Sequence, residues 1–233
     1  MMKILYFYLS TFYTFAQRHT RSTSEQPNII MTTKPLLICL GTTTIGGYLE
    51  LTTASKFISS SSFSSAQLTA ITPCILIGTG LWTLAHGFTI GKARLKYANL
   101  AKKDGESNVD ERYLLPNLYA QGTSKHVRAF NCIQRSHQQI FETFTTVVLS
   151  GVMGCITFPI CTALSTFTYA IGRYQLSKGY AEAAEESSGG GGPDASKRYK
   201  YPLAKFMWYG FLCNVMLGMG SCGLIIGGMK TFD

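Results

Sequence analysis

The chain has 233 residues, of which 46% are apolar and only 14% charged, with a formal net charge of +9. Soluble domains carry roughly 25% charged residues, so this composition excludes an ordinary soluble globule. The charges cluster at residues 94–128 and 182–205 with long uncharged runs between them, so the positive balance reads as membrane topology rather than nucleic-acid binding.

Residues 1–34 carry Lys3, Arg18 and Arg21 with no acid before Glu25. They read as a targeting-like segment, in which residues 4–17 are either a signal-like apolar core or the acid-poor start of a transit peptide. Met31 is an alternative start that would remove the segment. Residues 35–54 are an extra apolar segment, close to the ~20 residues that a bilayer span needs. Their four Gly or Pro positions and Glu50 leave a span and an interfacial segment equally open. Residues 56–67 are serine-rich and read as a linker, so residues 35–65 stand apart from the remainder of the chain.

Residues 68–90 carry no charge and read as a first core transmembrane helix. Pro73 is tolerated in its first turns, and Lys92, Arg94 and Lys96 can reach the headgroups. Residues 98–121 read as a polar, mixed-charge loop. A second helix starts near residues 124–130 and runs to about Ile156. Phe158 and Pro159 form an uncharged turn, and Pro159 opens a third helix that continues through Tyr169, Arg173 and Tyr180 toward Glu186. Residues 187–192 read as a flexible linker. Pro202 opens a fourth helix, whose residues 206–229 are uncharged. Residues 66–233 are therefore expected to form an all-α, integral membrane four-helix bundle. Its first and third connections hold nearly all the charge and face the cytosol.

The seven cysteines, Cys39, Cys74, Cys132, Cys155, Cys161, Cys213 and Cys222, form no CxxC pair. They read as small buried hydrophobes rather than disulfides or metal ligands, and no metal is expected.

Chemistry concentrates in residues 130–142, Phe-Asn-Cys-Ile-Gln-Arg-Ser-His-Gln-Gln-Ile-Phe-Glu. Residues 143–172, immediately after it, hold no Lys, Arg, Asp or Glu. Polar groups at the mouth of a membrane helix are costly and need a reason to be there. Arg135, Gln139 and Glu142 fall at i, i+4 and i+7, on one helix face. A guanidinium fork, an amide and a carboxylate on one face suit a small zwitterion. The plain alternative is an intrahelical ion pair in the headgroup region. Tyr169, Arg173 and Tyr180 share a face of the third helix, and Arg94 and Arg198 lie toward the same cytosolic level. His137 taken alone reads as a structural histidine and Tyr180 as an interfacial anchor. His86 reads as a core or interface residue.

The 130–138 run, with Lys92-Ala93-Arg94, Lys96-Tyr97, Glu142, Gly172-Arg173 and Gly179-Tyr180, resembles the membrane-associated eicosanoid and glutathione metabolism family. The resemblance extends from about residue 67 to the end and is strongest to the type 3 microsomal glutathione transferase branch. Residues 1–65 fall outside it. It implies homotrimers in the endoplasmic reticulum membrane, with a mitochondrial or other organelle membrane as the alternative. It implies glutathione as co-substrate, bound between subunits near the cytosolic face. The second substrate is a lipophilic electrophile or lipid hydroperoxide, the site opens to membrane lipid, and neither metal nor nucleic acid takes part. Arg135, Gln139, Glu142, Arg173 and Tyr180 map onto glutathione-binding positions. Arg94 and His137 map onto positions that a neighbouring subunit supplies. Arg198 matches the thiol-activating arginine, with Lys197 as a rival.

A nearby cation lowers a thiol pKa, and a shift of about two units is worth roughly 2.7 kcal/mol. Four departures stand against this. Leu176 occupies a position where the family often has tyrosine. Gln139 replaces an asparagine. Residues 181–196 contain an insertion of about ten residues, long for such a connection. Leu95 stands where some members have an arginine for a fatty-acid carboxylate. The Leu95 departure weighs against leukotriene synthesis, while Leu176, the insertion and the extra N-terminal segments favour a rival reading, a catalytically weak member acting as a lipid-binding scaffold or accessory subunit of a membrane complex.

Overall fold

The computed structural model describes residues 33–60, 64–115, 117–188 and 195–228, and the targeting-like residues 1–32 lie outside them. The described chain is all-α, with no strand among the described residues. Its helices are α1 (Thr33–Ser60), α2 (Ser65–Lys103), α3 (Val109–Tyr113), α4 (Lys125–Thr157), α5 (Pro159–Ser188) and α6 (Phe206–Ile226). Two single 3₁₀ turns, Ala195–Tyr199 and Pro202–Lys205, precede α6.

The element starts reflect local chemistry. α2 begins behind a reciprocal capping box: the Ser64 Oγ accepts from the Gln67 N–H at 3.3 Å, and the Gln67 Oε1 accepts from the Ser64 N–H at 2.7 Å. α1 meets no glycine or proline after Gly47 and runs on to Ser60. Helix therefore covers most of the stretch expected as a linker at 56–67. The loop expected at 98–121 is shorter too, since α2 persists to Lys103 and α3 sits inside it. Pro159 opens α5 as expected. Pro202 instead opens a 3₁₀ turn, and α6 starts four residues later.

The described residues divide into two compact units, those within 33–72, 149–163 and 212–228 in one, and those within 73–148 and 164–211 in the other. In the first unit, α1 docks on the start of α5 and on α6. Gly46 and Gly47 face the Cys161 sulfur and the Phe158 ring, and Leu51 packs on the Phe158, Leu217 and Leu224 core. The decisive contact is Glu50, 6% exposed. Its two carboxylate oxygens accept the backbone N–H groups of Ile160 and Cys161 at 2.6 and 3.0 Å. Those are orphan donors of the first turn of α5, and a carboxylate there also complements the helix dipole.

In the second unit, α5 and α6 touch backbone to backbone. A Cβ at Gly172 would collide with the Met207 main chain, and one at Gly210 with that of Tyr169 and Ser165. Small residues permit this close approach. Around it lie the Leu76, Val147, Tyr169, Leu176, Tyr180 and Met207 core, and a second core built on Tyr97, Tyr113 and Phe130.

Three segments, α2, α4 and Pro202–Ile226, are long and apolar enough to cross a membrane. The remaining helix of the expected bundle, α5, is also long enough at 30 residues but is less apolar. α5 falls short in mean hydropathy because Thr162, Ser165, Thr166, Arg173 and Ser177 lie along it, but all five are buried. Its polarity is turned inward.

Glu50→Ala should lower stability by about 2 kcal/mol, because it strips two buried N–H groups of a charged acceptor. Glu50→Gln, which keeps one acceptor, should cost less. Thermal unfolding in detergent reads both, and equal midpoints for the three proteins would show that the cap is not formed.

Candidate functional site

The centre of the second unit is Arg173, 0% exposed and the largest of the fully buried side chains. Gly172 beside it lets α6 close over it, and the Met207 sulfur lies 3.5 Å from its Nη1. The same Nη1 donates to the Gln139 Oε1 at 3.2 Å, and Nη2 donates to the Ser136 carbonyl. Nε has no partner. Every acceptor on this guanidinium is neutral, although a buried charge normally demands a counter-charge.

A chain of bonds leads outward from it. The Gln139 Oε1 also accepts from the Tyr180 hydroxyl at 3.4 Å, and that hydroxyl accepts from the Arg198 Nη1 at 3.3 Å. Tyr180 is 5% exposed, so it is an internal strut rather than an interfacial anchor. Arg198 reaches it because Gly179 has no side chain. A Cβ there would lie 2.5 Å from the Arg198 carbonyl oxygen, so the 195–199 turn rests directly on α5. Burial pulls the Arg198 pKa down, but the Tyr180 and Tyr199 hydroxyls outweigh it and hold the group above its ordinary value. Lys197 is exposed. Of the 181–196 stretch that holds the insertion, residues 189–194 lie outside the described residues.

Arg135 and Glu142 form the intrahelical pair, at 2.5 and 3.1 Å, with roughly half of each side chain exposed. Their charges act on Arg173, and that of Arg135 acts on Arg198. Arg135, Gln139, Glu142, Arg173, Tyr180 and Arg198 are thus brought together. Leu176 fills the gap beside Tyr180 and Met207 with an apolar side chain.

His137 adjoins the group within reach of the Arg173 charge. Its ring meets Phe141 edge-on at 5.0 Å and His86 at 5.5 Å, and its Nδ1 is buried without a partner. His86 stacks on Trp82 at 5.4 Å, Trp82 meets Tyr174 edge-on at 6.0 Å, and the His86 Nε2 bonds the Ser136 Oγ at 3.1 Å. This aromatic column was not anticipated. Trp82 and His86 at i, i+4 were the available signal. Arg94 stands elsewhere: it donates to the Tyr113 and Asn117 carbonyls at 2.8 and 3.0 Å and covers the Phe130 ring at 4.7 Å. It pins the connection between α2 and α4.

Chemically, three guanidiniums lie near one carboxylate, a surplus of positive charge whose exposed part is the Arg135 side chain. Such a place suits a ligand with more than one anionic group. Among the described residues no cluster of three or more His, Cys, Asp or Glu could hold a metal ion.

Residues 72–189 match the MAPEG family, the membrane-associated proteins of eicosanoid and glutathione metabolism, over half of the chain. The matched segment carries Arg94 through Tyr180, while Arg198 and α1 fall beyond it. No curated protein and no solved structure matches the chain.

Gly179→Ala should destabilise by about 1–3 kcal/mol, because the clash is with main chain that cannot yield cheaply. Tyr180→Phe should cost about 1 kcal/mol for its lost bonds. Unfolding in detergent gives the order, and the reverse order would mean that the 195–199 turn is not seated on α5.

Proposed function

The chain belongs to the MAPEG family, and from that premise we propose that it is a membrane glutathione transferase and glutathione-dependent peroxidase, most like the type 3 microsomal branch. Its proposed second substrates are lipophilic electrophiles and lipid hydroperoxides. The family includes glutathione transferases and peroxidases beside other members. The observation that carries the reading is the cation surplus around Arg173, which neutral acceptors leave uncompensated. Glutathione brings two carboxylates, one ammonium and, when ionised, a thiolate. Three arginines against Glu142 alone complement that set.

Arg135 takes one carboxylate in this reading, Arg173 would have to release the Gln139 amide or the Ser136 carbonyl to take the other, and Glu142 accepts from the ammonium. Arg198, oriented by Tyr180, sits at the sulfur and favours its thiolate. The thiolate attacks an electrophilic carbon, a C–S bond forms and the leaving group departs with its electron pair. With a hydroperoxide it attacks the distal oxygen and the O–O bond breaks. The alkoxide is protonated to the alcohol, and a second glutathione converts the sulfenic acid to the disulfide and water. The assembly is a homotrimer of the endoplasmic reticulum membrane, with His137 and Arg94 facing a neighbour's glutathione. Arg94 would have to release the carbonyls of Tyr113 and Asn117 to take part. The buried Leu176 favours a second reading, a weakly catalytic scaffold or accessory subunit.

Purified protein in detergent, given glutathione and either a chromogenic electrophile or a lipid hydroperoxide, decides between them. Turnover should fall about 100-fold in Arg198→Ala, the equivalent of a two-unit thiol pKa change, with glutathione binding retained. Lys197→Ala should keep activity, and Arg173→Ala should lose binding. No turnover above background in a correctly assembled parent trimer defeats the enzyme reading, and weak or absent glutathione binding beside it establishes the second.

A further inference from the structure

α1 lies outside the matched family segment, and its composition leaves a bilayer span and an interfacial helix equally open. Its contacts within the first unit are directional. The Thr42 hydroxyl lies 3.9 Å from the Cys213 sulfur, and the Thr43 hydroxyl lies 3.6 Å from the Met216 sulfur. Further along, the Phe158 ring sits between the two helices. A Cβ at Gly47 would lie 3.1 Å from one edge of that ring, and a Cβ at Gly220 3.7 Å from the opposite edge. Leu51 carries the seam on to the Leu217 and Leu224 core. Residues 42, 43 and 47 of α1 thus meet 213, 216 and 220 of α6 in ascending order, so the two helices run parallel. A helix lying flat on a membrane would cross a spanning helix at one point. α6 belongs to a segment long and apolar enough to span, and a helix aligned with it occupies the same slab.

We propose that α1 is a membrane span in its own right, parallel to α6, with its outward face on the lipid acyl chains. Its 28 residues make a helix about 42 Å long, more than the ~30 Å hydrocarbon core of a bilayer. Its outward stripe, Leu37, Ile38, Ile45, Tyr48 and Leu49, is large, apolar and more than half exposed at every position, a face that lipid solvates and water does not. Polar groups that already have partners lower its mean hydropathy. The Thr42, Thr43, Thr52 and Thr53 hydroxyls donate to carbonyls one turn back at 2.6–2.9 Å. Glu50, the one charge of residues 35–55, is turned inward onto the α5 N–H groups. The direction of α1 agrees as well. With α2, α4, α5 and α6 each crossing, α2 starts on the side where α6 ends. A span joined to α2 through residues 61–64 must then run parallel to α6, as α1 does. Residue 33 accordingly lies on the side where α6 starts, the cytosolic side by the positive charge of residues 197–205. None of this depends on the glutathione site of the other unit.

Sealed microsomes with the cytosolic face outward, carrying the full-length protein, test this topology with a membrane-impermeant polyethylene-glycol maleimide. An added cysteine is read as one adduct beyond those of the parent protein. Ser107→Cys, between α2 and α3, marks the cytosolic side, and Ala66→Cys, at the start of α2, marks the opposite side. Thr33→Cys should gain its adduct in intact vesicles, as Ser107→Cys does, while Ala66→Cys should gain one only after permeabilisation. Protection of Thr33→Cys until permeabilisation, or no adduct on it under either condition, would overturn the proposal. The parent protein supplies a second measurement that no misfolded variant can spoil. In nanodiscs of phosphatidylcholine with a photoactivatable acyl chain, cross-links should fall on the outward stripe of α1 as well as on the exposed Leu149 of α4. Labelling of Leu149 with none on α1 would mean that water or protein covers that face, and would equally overturn the proposal.

Discussion

The second unit depends on a guanidinium buried without a counter-ion. Removing an ion from water costs several kcal/mol even after relaxation, and Arg173 recovers part of that from a main-chain carbonyl and an amide oxygen alone. The position is tenable because α5 and α6 lie backbone to backbone at Gly172 and Gly210, which seals the arginine under Met207. The glycine and the arginine next to it are therefore one device. The first admits the covering helix, and the second is the group it covers. Both Ser136 and Gln139, which hold Arg173, are on α4, so the cation also fixes how α4 and α5 face each other in this unit.

Rigidity spreads from there through a single shared atom. The Gln139 Oε1 takes donors from Arg173 and Tyr180 together. A side chain one methylene longer than asparagine can stand off α4 far enough to serve both. Tyr180 passes the constraint to Arg198, and Gly179 removes the bulk that would hold the 195–199 turn away. Position in the fold, rather than distance along the chain, sets the relation of Arg198 to the other arginines. An insertion between Tyr180 and Arg198 lengthens the path without moving its far end, because that end is bound to the helix it left.

Features with a local period were legible in the sequence. Arg135, Gln139 and Glu142 announce one face by spacing, Pro159 announces a helix start, and uncharged runs announce α2, α4 and α6. Features made by partners far apart were not. The Arg94 grip on the α2–α4 connection depends on carbonyls whose positions no side-chain pattern records. The column through Tyr174, Trp82, His86 and His137 joins three helices, and only its Trp82–His86 step has a sequence spacing to betray it. The polar face of α5 lowers its mean hydropathy, yet the same residues are buried, so hydropathy alone undervalues a helix whose polar side is internal. The capping box at Ser64 and Gln67 was readable but lay hidden in a serine-rich run that looked like linker.

Glu50 makes the same point in reverse. In the sequence an acid in an apolar segment weighs against burial. In the structure it caps a helix through the N–H of Ile160, 110 residues later. The two facts are consistent, because a carboxylate that accepts two backbone N–H groups at a helix N-terminus has exchanged water for the best solvation a protein interior offers. The dependence also runs both ways. The start of α5 comes directly after the Phe158 turn, where proline blocks any further helix N–H from above, so its first free donors need an acceptor from another segment. Glu50 in turn can be buried only where such donors converge. Docking of α1 and closure of the α4–α5 turn are therefore one event in this unit. That is why a helix lying outside the matched family segment is nonetheless part of the folded body rather than an appendage to it.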